Sequence, residues 1–266
     1  MRGQGRPPSP LPGLHQGETE MALSWLPEGA EAALSLTFDD GLPSQLKVAA
    51  PMLEQYGFCG TFYLNPGGED WAERLLPWAM ASRRGHELGN HTLSHPCSRN
   101  FSFTAENEGV EGLALEDMER EVSEAEARLA QLAPQQMSRS FAYPCYQSDI
   151  GVGLNRQSYT PVVAKYCTAA RARGEAGNFA HKADLHYLWS FPCERMTAAE
   201  MIGNCELLAN RGQWGILTFH GIDEGHLPVS QIDLEQLLQH LAKHRERFWV
   251  APVVEVARAI LGWRTG

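Results

Sequence analysis

Two hydrophobic periods take turns along this chain. From Leu34 to Gly41 it reads L-S-L-T-F-D-D-G, with Leu34, Leu36 and Phe38 two apart, the period of a strand. Leu46, Ala49, Ala50 and Leu53 then fall at helical spacing, and Gly57 closes that segment. Cys59 to Leu64 reads as a second strand, and Asp70 to Arg84 as an amphipathic helix ending in two arginines. A short strand begins the stretch Gly85 to His95, and Pro96 to Gly112 is polar and without period, so a long loop is expected there. The stripe Leu115, Met118, Val122, Ala125, Leu129 and Leu132 predicts the clearest helix of the chain.

Further strands are expected at Ser140 to Tyr143, Cys167 to Ala170, Leu185 to Phe191, Trp214 to Phe219 and Phe248 to Pro252. Helices are expected over Tyr159 to Tyr166, from a capping box of Thr197 and Glu200 through Ala209, and along Leu234, Leu237, Leu238 and Leu241. A last helix runs through Val256 and Ile260. Strand and helix in alternation imply parallel strands with helices outside them. About seven or eight strands fit an α/β protein built as a (β/α) barrel or a distorted relative, with a doubly wound open sheet as the alternative.

Composition narrows the classes. The 266 residues, 43% hydrophobic, suffice for one domain with a large core, and the formal charge of −10 argues against nucleic acid or an anionic membrane as partner. No apolar run approaches the ~20 residues that span a bilayer. Residues 1–20 carry Pro7, Pro8, Pro10 and Pro12 and no apolar stretch, so they read as a disordered tail before a domain of residues 21–266, with Met21 as a possible start. The absence of an apolar leader makes the cytoplasm the expected location. Six cysteines without C-x-x-C spacing read mostly as free buried thiols.

Four polar clusters each follow directly on an expected strand: Asp39-Asp40, His91 with His95, Pro144-Cys145-Tyr146, and His220. In parallel α/β folds the carboxyl ends of the strands share one face, where sites form. Adjacent carboxylates on extended backbone point apart, so one can hold a cation while the other moves protons. His91 and His95, four apart, face one side if they sit on a helical turn, and two imidazoles with one carboxylate make a three-ligand site of the catalytic-zinc type. His220, on the same face, suits a general acid. His86, His181, His186, His226, His240 and His244 read as ordinary histidines.

The segments T-F-D-D-G (Thr37 to Gly41), H-T-L-S-H (His91 to His95) and I-L-T-F-H-G (Ile216 to Gly221) resemble the motifs of the polysaccharide deacetylases, in order over roughly Leu34 to Ile260. That resemblance implies a single-domain distorted (β/α) barrel of about seven strands. It implies removal of an N- or O-linked acetyl group from a carbohydrate, metal-bound water attacking the carbonyl. It assigns Asp39 as general base, Asp40, His91 and His95 as ligands of one divalent metal (zinc first, cobalt or iron as alternatives), and His220 as general acid. F-A-Y-P-C-Y (Phe141 to Tyr146) aligns with the third motif, whose oxyanion donor, a backbone N–H, falls on Cys145.

Departures accompany the likeness. Ala142 stands where the family often has an arginine that orients the base, and Arg139 is the nearest arginine. The fourth motif has no clean counterpart beyond Trp189, with Asp184 before it, and Gly221 stands where an acid often follows the last histidine. Tyr143, Tyr146 and Trp189, with Trp78, are the aromatic candidates for stacking on sugar rings. The expected partner is an acetylated sugar or a small amide. Hydrolysis of a small amide, cyclic imide or ureide on the same fold is the alternative, followed by a carbohydrate-binding protein without catalysis. The substrate and the oligomeric state are left open.

Overall fold

The computed structural model describes residues 23–105 and 109–266. The expected tail, residues 1–20, lies outside the described residues. Among the described residues ten strands run β1 (Ala32–Phe38), β2 (Thr61–Leu64), β3 (Glu87–Asn90), β4 (Ser140–Ala142), β5 (Asp149–Ile150), β6 (Gln157–Ser158), β7 (Ala169–Arg171), β8 (Phe191–Pro192), β9 (Trp214–Phe219) and β10 (Phe248–Val250). The α-helices among these residues are α1 (Ala50–Gln55), α2 (Trp71–Leu75), α3 (Trp78–Arg83), α4 (Leu115–Leu132), α5 (Thr160–Tyr166), α6 (Ala198–Ala209), α7 (Gln231–Lys243) and α8 (Val253–Thr265).

Seven strands form a curled parallel sheet in the order β7-β4-β3-β2-β1-β9-β8, and β10 pairs with the start of β1. Residues 185–188 hydrogen-bond to β7 through Leu185 and Leu188, and the chain runs on into β8, which pairs with β9. The two sheet edges are thus linked, and the result is a distorted (β/α) barrel, as the alternation of periods predicts.

The period of two fixes what each strand sends inward. On β1, Leu34, Leu36 and Phe38 join the outer core under the helices, where Phe38 lies 4.9 Å from Phe62 and 5.2 Å from Phe219. Ala33, Ser35 and Thr37 take the opposite face, where the Trp214 indole donates to Ser35 Oγ at 3.1 Å. Asp39 follows in the same parity and points inward. Its neighbour Asp40 adopts φ +75°, turning the chain, and Gly41 at φ +64° continues the turn. A Cβ at Gly41 would meet Leu64 at 2.9 Å, so this glycine is both conformationally and sterically required.

Several boundaries differ from the sequence reading for physical reasons. The helix expected over 70–84 breaks into α2 and α3 at Pro77, which lacks an N–H for the helical ladder. Of the strand expected over 185–191, Phe191 alone falls in a named strand, β8, and Leu188 makes a single bridge to Arg171. The hairpin of β5 and β6 has no clear alternation and went unpredicted. Four of the six cysteines are free and three of those are buried, in line with the reading of mostly free buried thiols, while Cys97 and Cys145 form one unexpected cystine. Trp78 is buried in the outer core, so it is a packing residue and not a sugar platform.

At the amino-terminal end of the barrel Glu87 is buried. It accepts from Thr61 Oγ1 (2.8 Å), Ser140 N (2.6 Å) and Val254 N (3.0 Å), tying β2, β4 and α8 to β3. Burial pushes this carboxyl up, against the hydrogen bonds that favour its charge. Among the described residues no helix is long and apolar enough to cross a membrane.

Candidate active site

The carboxyl ends of β1, β3, β4 and β9 open on one cavity of about 750 Å³. Asp39, Asp40, His91, His95, Tyr143, Cys145, Tyr146 and His220 all line it, so the acids, the histidines, Cys145 and both tyrosines singled out from the sequence meet there. Trp189 does not line it; the ring is 46% exposed and packs over Gly174.

Asp40 faces two imidazoles. His91 Nε2 and His95 Nε2 each lie 3.5 Å from Asp40 Oδ1, and one donor atom from each of the three residues falls within 4.8 Å of the others. The histidines converge through a loop and not a helical turn. Thr92 and His95 take φ +64° and +58°, and the loop is pinned from several sides. Asn90 Oδ1 accepts from Thr92 N, Thr92 Oγ1 from His95 N, and Glu121 Oε2 from Leu93 N and Ser94 N, at 2.8 to 3.0 Å. Asn65 Nδ2 donates to the His91 carbonyl.

The donor chemistry fits a divalent metal. His91 Nδ1 lies 2.8 Å from the Ala142 carbonyl, which only accepts, so Nδ1 carries a proton and Nε2 is the nitrogen that faces Asp40. Burial pushes Asp40 up, but the hydrogen bond from His91 and the charges of His91, His95 and His220 outweigh it and hold the carboxyl well below the usual range. Burial and then the charge of His91 bring His95 down to about 4, against the pull of Asp40 and Asp39. The carboxylate is therefore charged and His95 neutral near neutral pH, as a cation requires. Burial lowers His91, but Asp40 and Asp39 outweigh it and push that imidazole up, so a bound cation would have to displace its Nε2 proton. Cys97 and Cys145 also approach His95, but their sulfurs are committed to the cystine.

Asp39 has a separate set of partners. Arg171 Nη2 donates to both its oxygens, at 2.6 and 2.5 Å, and His220 Nε2 lies 3.9 Å from Oδ2. The guanidinium is buried and lies 5.2 Å from the centre of the Tyr63 ring and 5.4 Å from that of Tyr146. Ala142 and Arg171 are register partners across β4 and β7. The arginine missing at 142 is thus supplied one strand over, at the same level and on the same inward face. Arg139, the nearest candidate in sequence, does not reach Asp39: it pairs with Glu126 at 2.6 Å and donates to the carbonyls of Leu129 and Ala133 at the end of α4.

Gln45, buried after the D-D-G turn, clamps the two strand ends by donating to the carbonyls of Asp39 (2.5 Å) and His220 (3.0 Å). His220 Nδ1 is buried with no hydrogen-bond partner among the described residues, in keeping with the missing fourth-motif aspartate. A Cβ at Gly221 would stand 1.9 Å from the Glu224 carbonyl oxygen, so the folded loop leaves no room for an acidic side chain there. The sequence reading also missed Phe101, Phe103, Arg173, Glu194, His226 and Leu227, which complete the wall. Phe101 and Phe103, in the long polar loop, stack at 5.2 Å with exposed edges. Their two-residue spacing in F-S-F was the one signal available.

Comparison with known proteins agrees with this frame. Residues 27–155 match the family model described as Polysaccharide deacetylase, so that stretch of the chain is similar to the family. Solved structures with the same fold include the Xyl-CE4 domain of a multidomain xylanase from the hindgut metagenome of Trinervitermes trinervoides, at 17% identity and TM-score 0.53 over 85% of this chain and 89% of that one. A Mycobacterium smegmatis protein described as a polysaccharide deacetylase aligns at 15% identity and TM-score 0.60, covering 90% and 93%. A CE4 family pseudoenzyme from Bacillus anthracis aligns at 14% identity and TM-score 0.51, covering 85% and 65%. No curated protein matches the sequence. Because the fold accommodates a pseudoenzyme as well, activity has to be argued from the residues of the site.

Proposed function

We propose that this protein is a metal-dependent hydrolase that removes an acetyl group from a carbohydrate. The observation that carries the reading is the pairing of two carboxylates with two different partner sets in one cavity. Asp40 faces His91 and His95, while Asp39 is held by Arg171 beside His220. Asp40, His91 and His95 would hold one divalent ion, zinc first among the candidates for this donor set. When bound, such an ion lowers the pKa of water and polarises a carbonyl.

The protein's own residues then divide the proton work. Asp39, kept in place by Arg171, takes the proton from the attacking water. The backbone N–H of Cys145 donates to the oxyanion that forms at the acetyl carbonyl. His220 gives a proton to the departing amine or alkoxide. Tyr143 and Tyr146 line the same cavity and bound the substrate. Tyr143 is itself fixed by donating to the His186 carbonyl at 2.8 Å.

The reading is tested by acetate release from N- and O-acetylated oligosaccharides, beside small amides and cyclic imides. Turnover of the sugars is expected. Turnover of the amides or imides alone would replace it with the alternative. His220→Ala should lower kcat on an N-acetyl sugar by about 10²-fold or more, because an amine cannot leave unprotonated. The same variant should leave hydrolysis of 4-nitrophenyl acetate within about threefold, since nitrophenolate leaves without a proton. Equal loss on both substrates would show that His220 is not the general acid.

A further inference from the structure

Both Cys145 and Tyr146 lie in the left-handed region, at φ +50° and +58°. Such backbone is costly for a residue with a Cβ, and it persists only where the surroundings impose it. Five of the eight non-glycine residues with positive φ among those described belong to this site: Asp40, Thr92, His95, Cys145 and Tyr146. Strain on this scale at one cavity points to a constrained geometry there.

The constraint on Tyr146 is visible in its ring, which lies 5.4 Å from the Arg171 guanidinium and 5.9 Å from that of Arg173. Cys145 is held by a covalent bond. Its side chain is bonded to Cys97, 48 residues earlier, in the loop that follows the ligand histidine His95. Cys97 is itself buried, and its carbonyl accepts from Val110 N at 3.2 Å. One hydrogen bond runs parallel to the cystine, from Ser98 N to Gln147 Oε1 at 2.7 Å. Cys97 Sγ lies 3.6 Å from His95 Nδ1. The bridge therefore joins the backbone that follows the metal-ligand loop to the backbone that lines the cavity beside Asp39.

We infer that the Cys97–Cys145 cystine is a positioning element for catalysis: it holds Cys145 in its left-handed conformation so that the backbone N–H stays aimed at the reacting carbonyl, and the enzyme reaches its full rate only while the bridge is closed. The inference rests on the proposed role of the Cys145 amide. Opening the bridge removes the covalent constraint and lets residue 145 relax toward ordinary backbone, which rotates its N–H. A trialkylphosphine brings this about in a balanced step: the S–S bond breaks, phosphorus gives up two electrons and takes the oxygen of water as phosphine oxide, and two thiols form. The half-buried Cys145 side, at the cavity, is where the reagent enters.

The experiment uses the full chain loaded with zinc, 4-nitrophenyl acetate as probe, and a trialkylphosphine as reductant. Before reduction four thiols should titrate in denaturant, the number of free cysteines, and after it six. On reduction kcat should fall by at least about tenfold, a part of what loss of an oxyanion donor costs. KM should stay within about twofold, the zinc content should hold, and reoxidation with glutathione disulfide should restore the rate. Cys97→Ala should reproduce the loss without reductant, and it decides the matter if the phosphine leaves the bridge closed. Six thiols before reduction, or full kcat with the bridge open or absent, would overturn the inference. So would loss of zinc in step with the rate, which would make the cystine a support for His95.

A second readout separates this inference from the functional proposal. In protein labelled with ¹⁵N-cysteine, the Cys145 and Cys97 amide resonances should move on reduction while those of Cys59, Cys167, Cys193 and Cys205 stay in place. If the oxidised, zinc-loaded protein turns over no acetyl substrate, the functional proposal fails. A fixed Cys145 resonance would then reject the positioning role as well, and a shifted one would uphold it as a statement about the backbone.

Discussion

Asp39→Asn is expected to lower kcat for acetate release by about a thousandfold, within the range that a positioned general base contributes. The asparagine side chain matches the carboxylate in shape but takes no proton from water at neutral pH. KM should change little, because the amide still fills the same volume between Arg171 and His220. Metal content should remain at the wild-type level, because Asp40 and not Asp39 faces His91 and His95. Stability should fall too. Arg171 is fully buried, its Nε and Nη1 have no hydrogen-bond partner among the described residues, and Asp39 is the acid it is bonded to. Removing one partner of a buried ion pair costs about 3–5 kcal/mol, readable by denaturant unfolding. Full turnover in a folded Asp39→Asn protein would remove Asp39 from the base role.

Arg171→Met should lower kcat by about 10²-fold and destabilise the protein by a comparable 3–5 kcal/mol, now because a buried Asp39 carboxylate is left without its cation. The methionine preserves much of the apolar contact with Tyr63 and Tyr146, so the loss reads the charge and its two hydrogen bonds. Combining Asp39→Asn with Arg171→Met should cost less stability than the sum of the single variants, since both remove one interaction. The register supplies a sharper test. Ala142 is the cross-strand partner of Arg171 and sits where the family often has its arginine. Adding Ala142→Arg to Arg171→Ala should therefore recover at least about tenfold of the lost kcat. No recovery in a folded double variant would show that an arginine at this level of the barrel is not enough to orient Asp39.

Much of the frame could be read from residue patterns because it depends on local periodicity. The strand Trp214–Phe219 and the helix Leu115–Leu132 lie where the spacing puts them, and Thr197 caps its helix by accepting from Glu200 N. The clusters at strand ends could be read because a parallel sheet sends all its carboxyl ends to one side. The arginine of the site was not legible. Arg171 sits in A-A-R-A-R-G, with nothing local to distinguish it from Arg173, and only the β4–β7 register sets it against Asp39. The cystine was hidden for the same reason: Cys97 and Cys145 are 48 residues apart, and the folded loops alone bring them together. His91 and His95 would face one side on a helical turn, but they converge through a loop whose shape depends on Asn90 just before them and on Asn65 and Glu121 from two other segments. Trp189 has the composition of a sugar platform, but it lies outside the cavity.

The most direct test of the central claim is the metal content of the purified protein, wild type against His91→Ala/His95→Ala, with circular dichroism on both. The account predicts about one divalent ion per wild-type chain, none in the double variant, and the same fold in the two. A folded wild type that releases acetate from acetylated sugars with no bound metal, and that gains nothing when zinc is supplied, would contradict it.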